Sequence, residues 1–169
     1  MSFLFVITVV PVQANEHLDI PLSHELQDFT IDLAEQFNIP YDLLFAMMFR
    51  ESTFRPYLIS ATNDYGIMQI NRVNHGWLRR YHGITNFLDA EQGILAGTIM
   101  ISELVHEFEC LHKALMAYNM GRAGARRHWN RGTFTSTFSR RVMQTMEEYV
   151  EQRENMLAST SIFCGSCCS

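Results

Sequence analysis

The residue whose type and position point most directly to chemistry is Glu51, which follows the apolar run Leu43 to Phe49. A carboxylate at the end of an all-apolar helix loses hydration of its ionised form, which raises its pKa and lets it hold a proton near neutral pH. General-acid chemistry is therefore available to Glu51. When Glu51 is considered without the rest of the sequence, however, an ion pair with Arg50 or Arg55 at the helix end is the favoured interpretation.

Other chemistries have little support. His106 and His112 flank Glu107, but histidines six residues apart cannot share one helix face as a metalloprotease pair does. There is no Gly-x-Ser-x-Gly elbow and no glycine-rich phosphate loop. Three of the four cysteines crowd the last six residues, and a zinc site built on them would lack a defined fourth ligand. We predict neither a metal site nor a cofactor.

The elements that position Glu51 are predicted to be helices of one domain over residues 22–155, since 169 residues suit one core. Ser23 is a good N-cap for a first helix with an apolar stripe. Pro40 suits the first helical position of a second, buried helix, which delivers Glu51. Residues 53–64 have no helical stripe and predict a loop, followed by a small extended element at 65–71.

Three further helical segments are predicted downstream. Asp89 and Gln92 resemble a capping box at the start of a long helix that reaches Phe108. Another helix should run from about Cys110 to Asn119, with Gly121 ending it and a short arginine-rich helix continuing to Trp129. The stripe from Phe138 to Val150 marks a last amphipathic helix.

Both ends of the chain lie outside this predicted domain. Residues 1–14 combine an apolar run too short to span a membrane with small residues that suit a signal-peptidase site, so they predict an export signal. An apolar arm packed on the domain is the alternative. Residues 157–169, rich in Ser and Cys, predict a flexible tail.

The formal net charge is −5, yet the chain has one basic stretch without acids. Solvated helix faces are the favoured interpretation of this stretch, and we predict no nucleic-acid partner. The stretch contains Arg122, Arg126, Arg127, Arg131, Arg140 and Arg141.

Four motifs in order resemble the soluble lytic transglycosylase family, which belongs to the lysozyme superfamily. Glu51-Ser52-Thr53-Phe54-Arg55-Pro56, followed by Ser60, looks like its catalytic segment, and Gly66-Ile67-Met68-Gln69-Ile70 is similar to its Gly-Leu-Met-Gln signature. Ala117-Tyr118-Asn119-Met120-Gly121 matches its Ala-Tyr-Asn-x-Gly motif, and Tyr149 stands where the family keeps a tyrosine. The resemblance implies a mainly α, lysozyme-like (α+β) domain with a buried central helix and the small extended element already described.

The resemblance also implies a reaction on the glycan strands of peptidoglycan. Glu51 would protonate the glycosidic oxygen between N-acetylmuramic acid and N-acetylglucosamine. As a carboxylate it would then accept the proton of the muramic acid O6 hydroxyl while that oxygen attacks C1, which forms a 1,6-anhydro end. One carboxylate can suffice because the nucleophile is tethered to the sugar.

The family's supporting roles carry over residue by residue. Ser60 would orient Glu51, and Met68 and Gln69 would line the sugar groove. Tyr118 and Asn119 would support the reacting residue, and Tyr149 would close the site.

Asp64 departs from the pattern, because many family members have no carboxylate just before the glycine. The stretch Asp64 to Asn71 looks like that of small specialised transglycosylases serving secretion or conjugation machines, and also like animal-type lysozymes. Asp64 is therefore a candidate second acid, and a lysozyme or chitinase-like hydrolase is the main alternative. A role in capping the turn before the strand is equally weighted. A second alternative is a non-catalytic glycan-binding component of a cell-wall-spanning assembly. We expect an exported protein of the periplasm or cell wall.

Overall fold

The computed structural model describes residues 17–164, with side chains described up to residue 158. The elements follow the order α1 (His24–Gln36), α2 (Tyr41–Ser52), β1 (Asp64–Tyr65), β2 (Ile70–Asn71), a 3₁₀ turn (Arg72–Asn74), α3 (His75–His82), α4 (Ala90–Phe108), α5 (Leu111–Trp129) and α6 (Thr137–Cys164). The predicted signal segment 1–14 lies outside the described residues.

Helix α2 is the centre of the core. Every side chain from Leu43 to Met48 is fully buried, because α1 covers one side of the helix and α6 another. A partly buried ion pair of 2.8 Å between Asp42 and Arg153 joins α2 to α6. The predicted buried central helix is therefore present, and Glu51 lies in its last turn.

Helix α2 ends in a sharp turn. Thr53 and Phe54 both adopt left-handed backbone conformations, with φ of 54° and 60°. Such conformations are costly for residues with a β-carbon. The buried side chain of Phe54 helps to hold this turn. The chain consequently leaves the helix within two residues of Glu51.

The extended element is a small antiparallel hairpin in which Asp64 faces Asn71 and Tyr65 faces Ile70. Gly66 begins its loop with φ of 77°, and a β-carbon there would lie 2.0 Å from the carbonyl oxygen of Phe87. Only glycine allows this approach. The hairpin is thereby packed against the segment that leads into α4.

Several caps confirm predicted helix starts. The Ser23 side chain accepts from Leu26 N at α1, and Asp89 accepts from Gln92 N at α4. Gly121, with φ of 72°, interrupts α5 where a helix end was predicted. Pro40, predicted as the first helical residue of α2, is instead its N-cap, so the helix begins one residue later, at Tyr41.

The described structure goes beyond the sequence predictions at three places. Helix α3 was not predicted, because eight residues are too few for a clear stripe. Residues before the predicted domain start at 22 also pack on the helices: Leu18 is buried, and its backbone N–H and carbonyl both bond to the side chain of Gln27. Helix α6 is described through Cys164, past the predicted domain boundary near residue 155. Within residues 17–164, no helix has the length and apolarity that a membrane span requires.

Candidate active site

A cleft of about 400 Å³ opens between the end of α2, the hairpin and α5. It brings together five of the predicted site residues: Glu51, Asp64, Gln69, Tyr118 and Asn119. Its lining also includes residues that sequence reasoning did not select: Asn71, Val73, Asn74, Met100, Met120 and Gly121. The motifs far apart in sequence therefore meet at one place.

The cleft continues into a groove. A neighbouring cavity of about 360 Å³ shares Asn74, Met100, Tyr118 and Gly121 with it and reaches Trp77. Two adjoining cavities with a common wall can hold a ligand longer than one sugar ring. The shape therefore suits a linear polymer with Glu51 at one point along it.

Glu51 is held in its neutral form near neutral pH. Burial raises the pKa of Glu51 to about 8, and the negative charge of Asp64 adds to the shift. The alternative ion pairs are not formed, because Arg50 donates to the carbonyl of Arg141 at 3.2 Å and Arg55 donates to the carbonyl of Ser52 at 2.8 Å. A carboxyl group with this pKa can act as a general acid and, once deprotonated, as a base.

Asp64 has the opposite environment. Burial alone would raise its pKa, but hydrogen bonds from Thr62, Ser60 and Asn71 outweigh burial and lower the pKa. Ser60 Oγ donates to Oδ2 at 2.7 Å, Thr62 Oγ1 donates to the same oxygen, and Asn71 Nδ2 donates to Oδ1 at 2.7 Å. Donors to a carboxylate stabilise its charge. The cleft therefore contains one neutral and one ionised carboxyl group.

Two hydroxyl groups fix the parts of the cleft to one another. Ser52 Oγ, in the last turn of α2, donates to the carbonyl of Ile67 at 2.7 Å. Tyr118 Oη, on α5, donates to the next carbonyl, that of Met68, at 2.8 Å. Burial, followed by the charges of Glu51 and Asp64, raises the pKa of Tyr118, so its hydroxyl remains a donor. Both helices are thus bonded to the hairpin loop beside Glu51.

The hydrogen bonds of Ser60 lie within the hairpin turn and do not reach Glu51, so its orienting role stays a prediction from the resemblance. Its hydroxyl donates to Asp64, and it accepts from the backbone amides of Thr62 and Asp64. The reason is local, because residues 60–64 form a tight turn that keeps the serine on the hairpin. Ser60 therefore acts on Glu51 indirectly, by stabilising the negative charge of Asp64 that raises the pKa of Glu51.

Met68 does not line the cleft as the resemblance implied. Its side chain is fully buried, and the glycine at position 97 of α4 leaves room for it: a β-carbon there would lie 2.5 Å from Met68 Cε. An apolar thioether gains more from core packing than from an open groove. The carbonyl of Met68 contributes to the site by accepting the Tyr118 hydrogen bond.

Gln69 and Tyr149 occupy different kinds of position. Gln69 lines the cleft, and its amide nitrogen holds the hairpin loop through the carbonyls of Leu58 and Gly66. Tyr149 lies half-buried on α6, outside the described lining of the cleft. Burial raises the pKa of Tyr149 to about 12, and the nearby charge of Arg50 opposes the shift.

Asn71 and Ser52 are the supporting residues that sequence reasoning missed. The signal for Asn71 was present in the antiparallel pairing of 64 with 71, which places the amide opposite the carboxylate. The role of Ser52 had no such signal, because it depends on how close α2 comes to the hairpin loop.

The chain is similar to several known proteins. The family model described as Transglycosylase SLT domain matches residues 28–142. Two curated relatives are membrane-bound lytic murein transglycosylases F: that of Desulfosudis oleivorans is 30% identical over 95 residues, and that of Marinobacter nauticus is 32% identical over 97 residues. These matches cover 52% and 53% of the chain.

Solved structures share the fold. An inactive mutant of the lytic transglycosylase Slt from Pseudomonas aeruginosa aligns with a TM-score of 0.58 and 20% identity over 82% of this chain. The 70 kDa soluble lytic transglycosylase from Escherichia coli aligns with the same TM-score and 21% identity over 82% of this chain. The predicted mainly α, lysozyme-like class is confirmed.

These relatives are much longer than the matched region. The matches span 20% and 18% of the curated relatives, and 23% and 24% of the solved chains. The family match covers residues 28–142, well over half of this chain, and the chain therefore belongs to the Transglycosylase SLT domain family.

Proposed function

We propose that the protein is a peptidoglycan lytic transglycosylase, in which Glu51 alone serves as acid and base. It cleaves the β-1,4 bond between N-acetylmuramic acid and N-acetylglucosamine and leaves 1,6-anhydromuramic ends. The observation that carries this proposal is a carboxyl group with a pKa of about 8 in a groove that suits a linear polymer. Family membership and the lytic murein transglycosylase relatives support it.

The two carboxyl groups have separate roles in this mechanism. Neutral Glu51 donates its proton to the glycosidic oxygen as the bond to C1 breaks. The ionised Asp64 faces the same cleft, where its negative charge stabilises the positive charge that develops on the sugar ring. The Glu51 carboxylate then takes the O6 proton while O6 bonds to C1, which returns the proton to Glu51.

A second candidate function, hydrolysis by two carboxylates, is favoured by one observation. Asp64 is ionised and lines the same cleft as neutral Glu51, which is the pairing of charge states that a lysozyme or chitinase-like enzyme needs. In that case Asp64 would act on C1 or on a water molecule. The two functions differ in their products and in their dependence on Asp64.

The test is product analysis with purified full-length protein on insoluble peptidoglycan. Mass spectrometry counts anhydro ends and reducing ends for the wild type and for Asp64→Asn. We expect anhydro ends, and a loss of about tenfold or less in Asp64→Asn. Reducing ends with near-total loss in Asp64→Asn would establish a hydrolase. Binding without cleavage would establish a glycan-binding component.

The place of action follows from the substrate. Peptidoglycan lies outside the cytoplasm, so we propose export to the periplasm or cell wall, with a secretion or conjugation apparatus as the partner. The resemblance of the stretch Asp64 to Asn71 to specialised transglycosylases supports this partner. Fractionation of cells that express the tagged protein would test export.

A further inference from the structure

A second cavity, of about 430 Å³, lies behind the hairpin and shares no described lining residue with the cleft. We name it the arginine pocket after Arg72 and Arg79 in its wall. Tyr65, His75 and Phe87 supply aromatic surface, and Asn86 stands at its edge. The pocket is not used by the proposed glycan reaction.

The hairpin separates the two cavities. Asp64 lines the cleft, and its neighbour Tyr65 lines the arginine pocket. Asn71 and Arg72 divide in the same way. For Asp64 and Tyr65 this division follows from the alternation of side chains along a strand, whereas Arg72 begins the 3₁₀ turn. A ligand in the arginine pocket can therefore bind while a glycan strand occupies the cleft.

The wall of the pocket is held by packing and hydrogen bonds. The rings of His75 and Phe87 stack with centroids 3.6 Å apart, and the Arg79 guanidinium lies 5.5 Å from the centroid of Phe87. His75 also bonds to the carbonyl of Ile70. The Gln92 side chain accepts from the backbone amides of Thr85 and Asn86. The pocket is thus formed before any ligand arrives.

The charge in the pocket has one sign. No aspartate or glutamate lines it, although the chain has a net charge of −5. Within the described part of the chain, the ion pairs include neither Arg72 nor Arg79. The pKa of His75 is lowered first by burial and further by the charges of Arg79 and Arg72, against its bond to Ile70. The positive electrostatic field of both guanidinium groups therefore reaches the ring of His75.

We propose that the arginine pocket binds an acidic peptide segment of a partner protein. An apolar side chain of the segment packs on the rings of Tyr65 and Phe87, and flanking carboxylates pair with Arg72 and Arg79. Guanidinium groups bind carboxylates through two parallel hydrogen bonds, which favours this chemistry over a neutral ligand. A peptide stem of the strand being cut would have to cross the hairpin, so the geometry favours a separate chain.

The test begins with a random octapeptide display library selected on the full-length protein. The best peptide is then synthesised with a fluorophore, and its binding is measured by anisotropy. Gly76→Leu is the blocking variant, because Gly76 lines the pocket in a helix and a β-carbon there meets nothing within 4 Å. Arg72→Gln with Arg79→Gln removes the charge. Arg80→Gln is the matched control on the same helix, outside the pocket lining.

We expect selected peptides with at least two acids around an apolar residue. The dissociation constant should rise at least tenfold in Gly76→Leu and in the double variant, and stay within twofold in Arg80→Gln. Glycan cleavage by the pocket variants should be unchanged, which separates this proposal from the proposed function. Neutral selected peptides, or equal binding to Gly76→Leu, would overturn the proposal. Tighter pocket-dependent binding of a disaccharide-tetrapeptide would overturn it in favour of the peptide stem.

Discussion

The end of α2 and the hairpin each bring one carboxyl group to the same cleft, and they treat it in opposite ways. Glu51 ends the buried helix α2, and its burial, together with the charge of Asp64, raises its pKa to about 8. The hairpin surrounds Asp64 with two hydroxyls and an amide, and its pKa falls. The comparison teaches that the surroundings of a carboxyl group, rather than its residue type, decide which one carries the proton.

The two regions also differ in what they cost the fold. One pKa unit corresponds to about 1.4 kcal/mol between the two protonation states, so an ionised Glu51 is unfavourable in the folded protein. Ionised Asp64, in contrast, is favourable in the folded protein, because its hydrogen-bond donors stabilise the negative charge. The cleft therefore combines a destabilised acid with a stabilised one.

The largest expected effect follows from replacing the acid of the apolar region. Glu51→Gln should lower glycan cleavage about 10³-fold, because the amide can neither donate the acid proton nor take it back. Turnover on insoluble peptidoglycan is the measurement, at equal folded concentration. Glu35→Gln, an exposed change on α1, is the control and should keep full activity. Cleavage by Glu51→Gln within tenfold of the wild type would remove Glu51 from the mechanism.

At high pH, Glu51→Gln should raise the stability of the fold, although it lowers the activity. Because the folded pKa of Glu51 is raised above the ordinary value of 4.5, the contribution of its proton is fully present below pH 4.5 and is lost as the pH rises towards 8. In Glu51→Gln there is no carboxyl group to ionise at this position, so this stability is not lost as the pH rises. We expect it to be more stable than the wild type by about 2–4 kcal/mol at pH 8.5, with little difference at pH 4.5. Urea unfolding at both pH values measures this, and a constant difference would contradict the assigned pKa.

Tyr118→Phe should have a smaller effect, because it weakens only the contact between α5 and the hairpin loop. The change removes the hydrogen bond to the carbonyl of Met68 and leaves that carbonyl without its donor. We expect a loss of about 1–2 kcal/mol in the free energy of unfolding. Thermal unfolding measures it, with Tyr81→Phe, at an exposed residue of α3, as the control. Equal stability of the two variants would show that this bond does not hold the hairpin.

The smallest effect concerns how one region acts on the other. Asp64→Asn removes the charge that raises the pKa of Glu51, so this pKa should fall by a fraction of a unit. Cleavage requires protonated Glu51, and the alkaline limb of the kcat/KM profile should therefore move to lower pH. Ser60→Ala, which keeps the charge, should leave the limb closer to its original position. A shift to higher pH in Asp64→Asn would contradict the coupling.

Much of this arrangement was predictable from local pattern. The apolar run before Glu51 predicted the buried helix and made a raised pKa possible, and Ser23 and Asp89 marked helix starts. Contacts between distant segments were not predictable, because a stripe reports only which face is buried. The bond from Tyr118 to Met68 spans 50 residues, and the burial of Met68 depends on a glycine in α4.

Ser60 shows the limit of transferring a role by resemblance. The residue is where the family pattern places it, but the additional carboxylate of Asp64 takes its hydrogen bond. The hydrogen-bond geometry, and not the motif alone, shows which acceptor the Ser60 hydroxyl uses.

The hydroxyls of Ser52 and Tyr118, bonded to the adjacent carbonyls of Ile67 and Met68, have a consequence for amide hydrogen exchange. An isolated hairpin with two-residue strands opens readily in water. Here, opening the hairpin must also break its bonds to α2 and α5. Its amides, such as that of Gly66, which donates to the carbonyl of Leu58, should therefore exchange with deuterium nearly as slowly as those of the two helices.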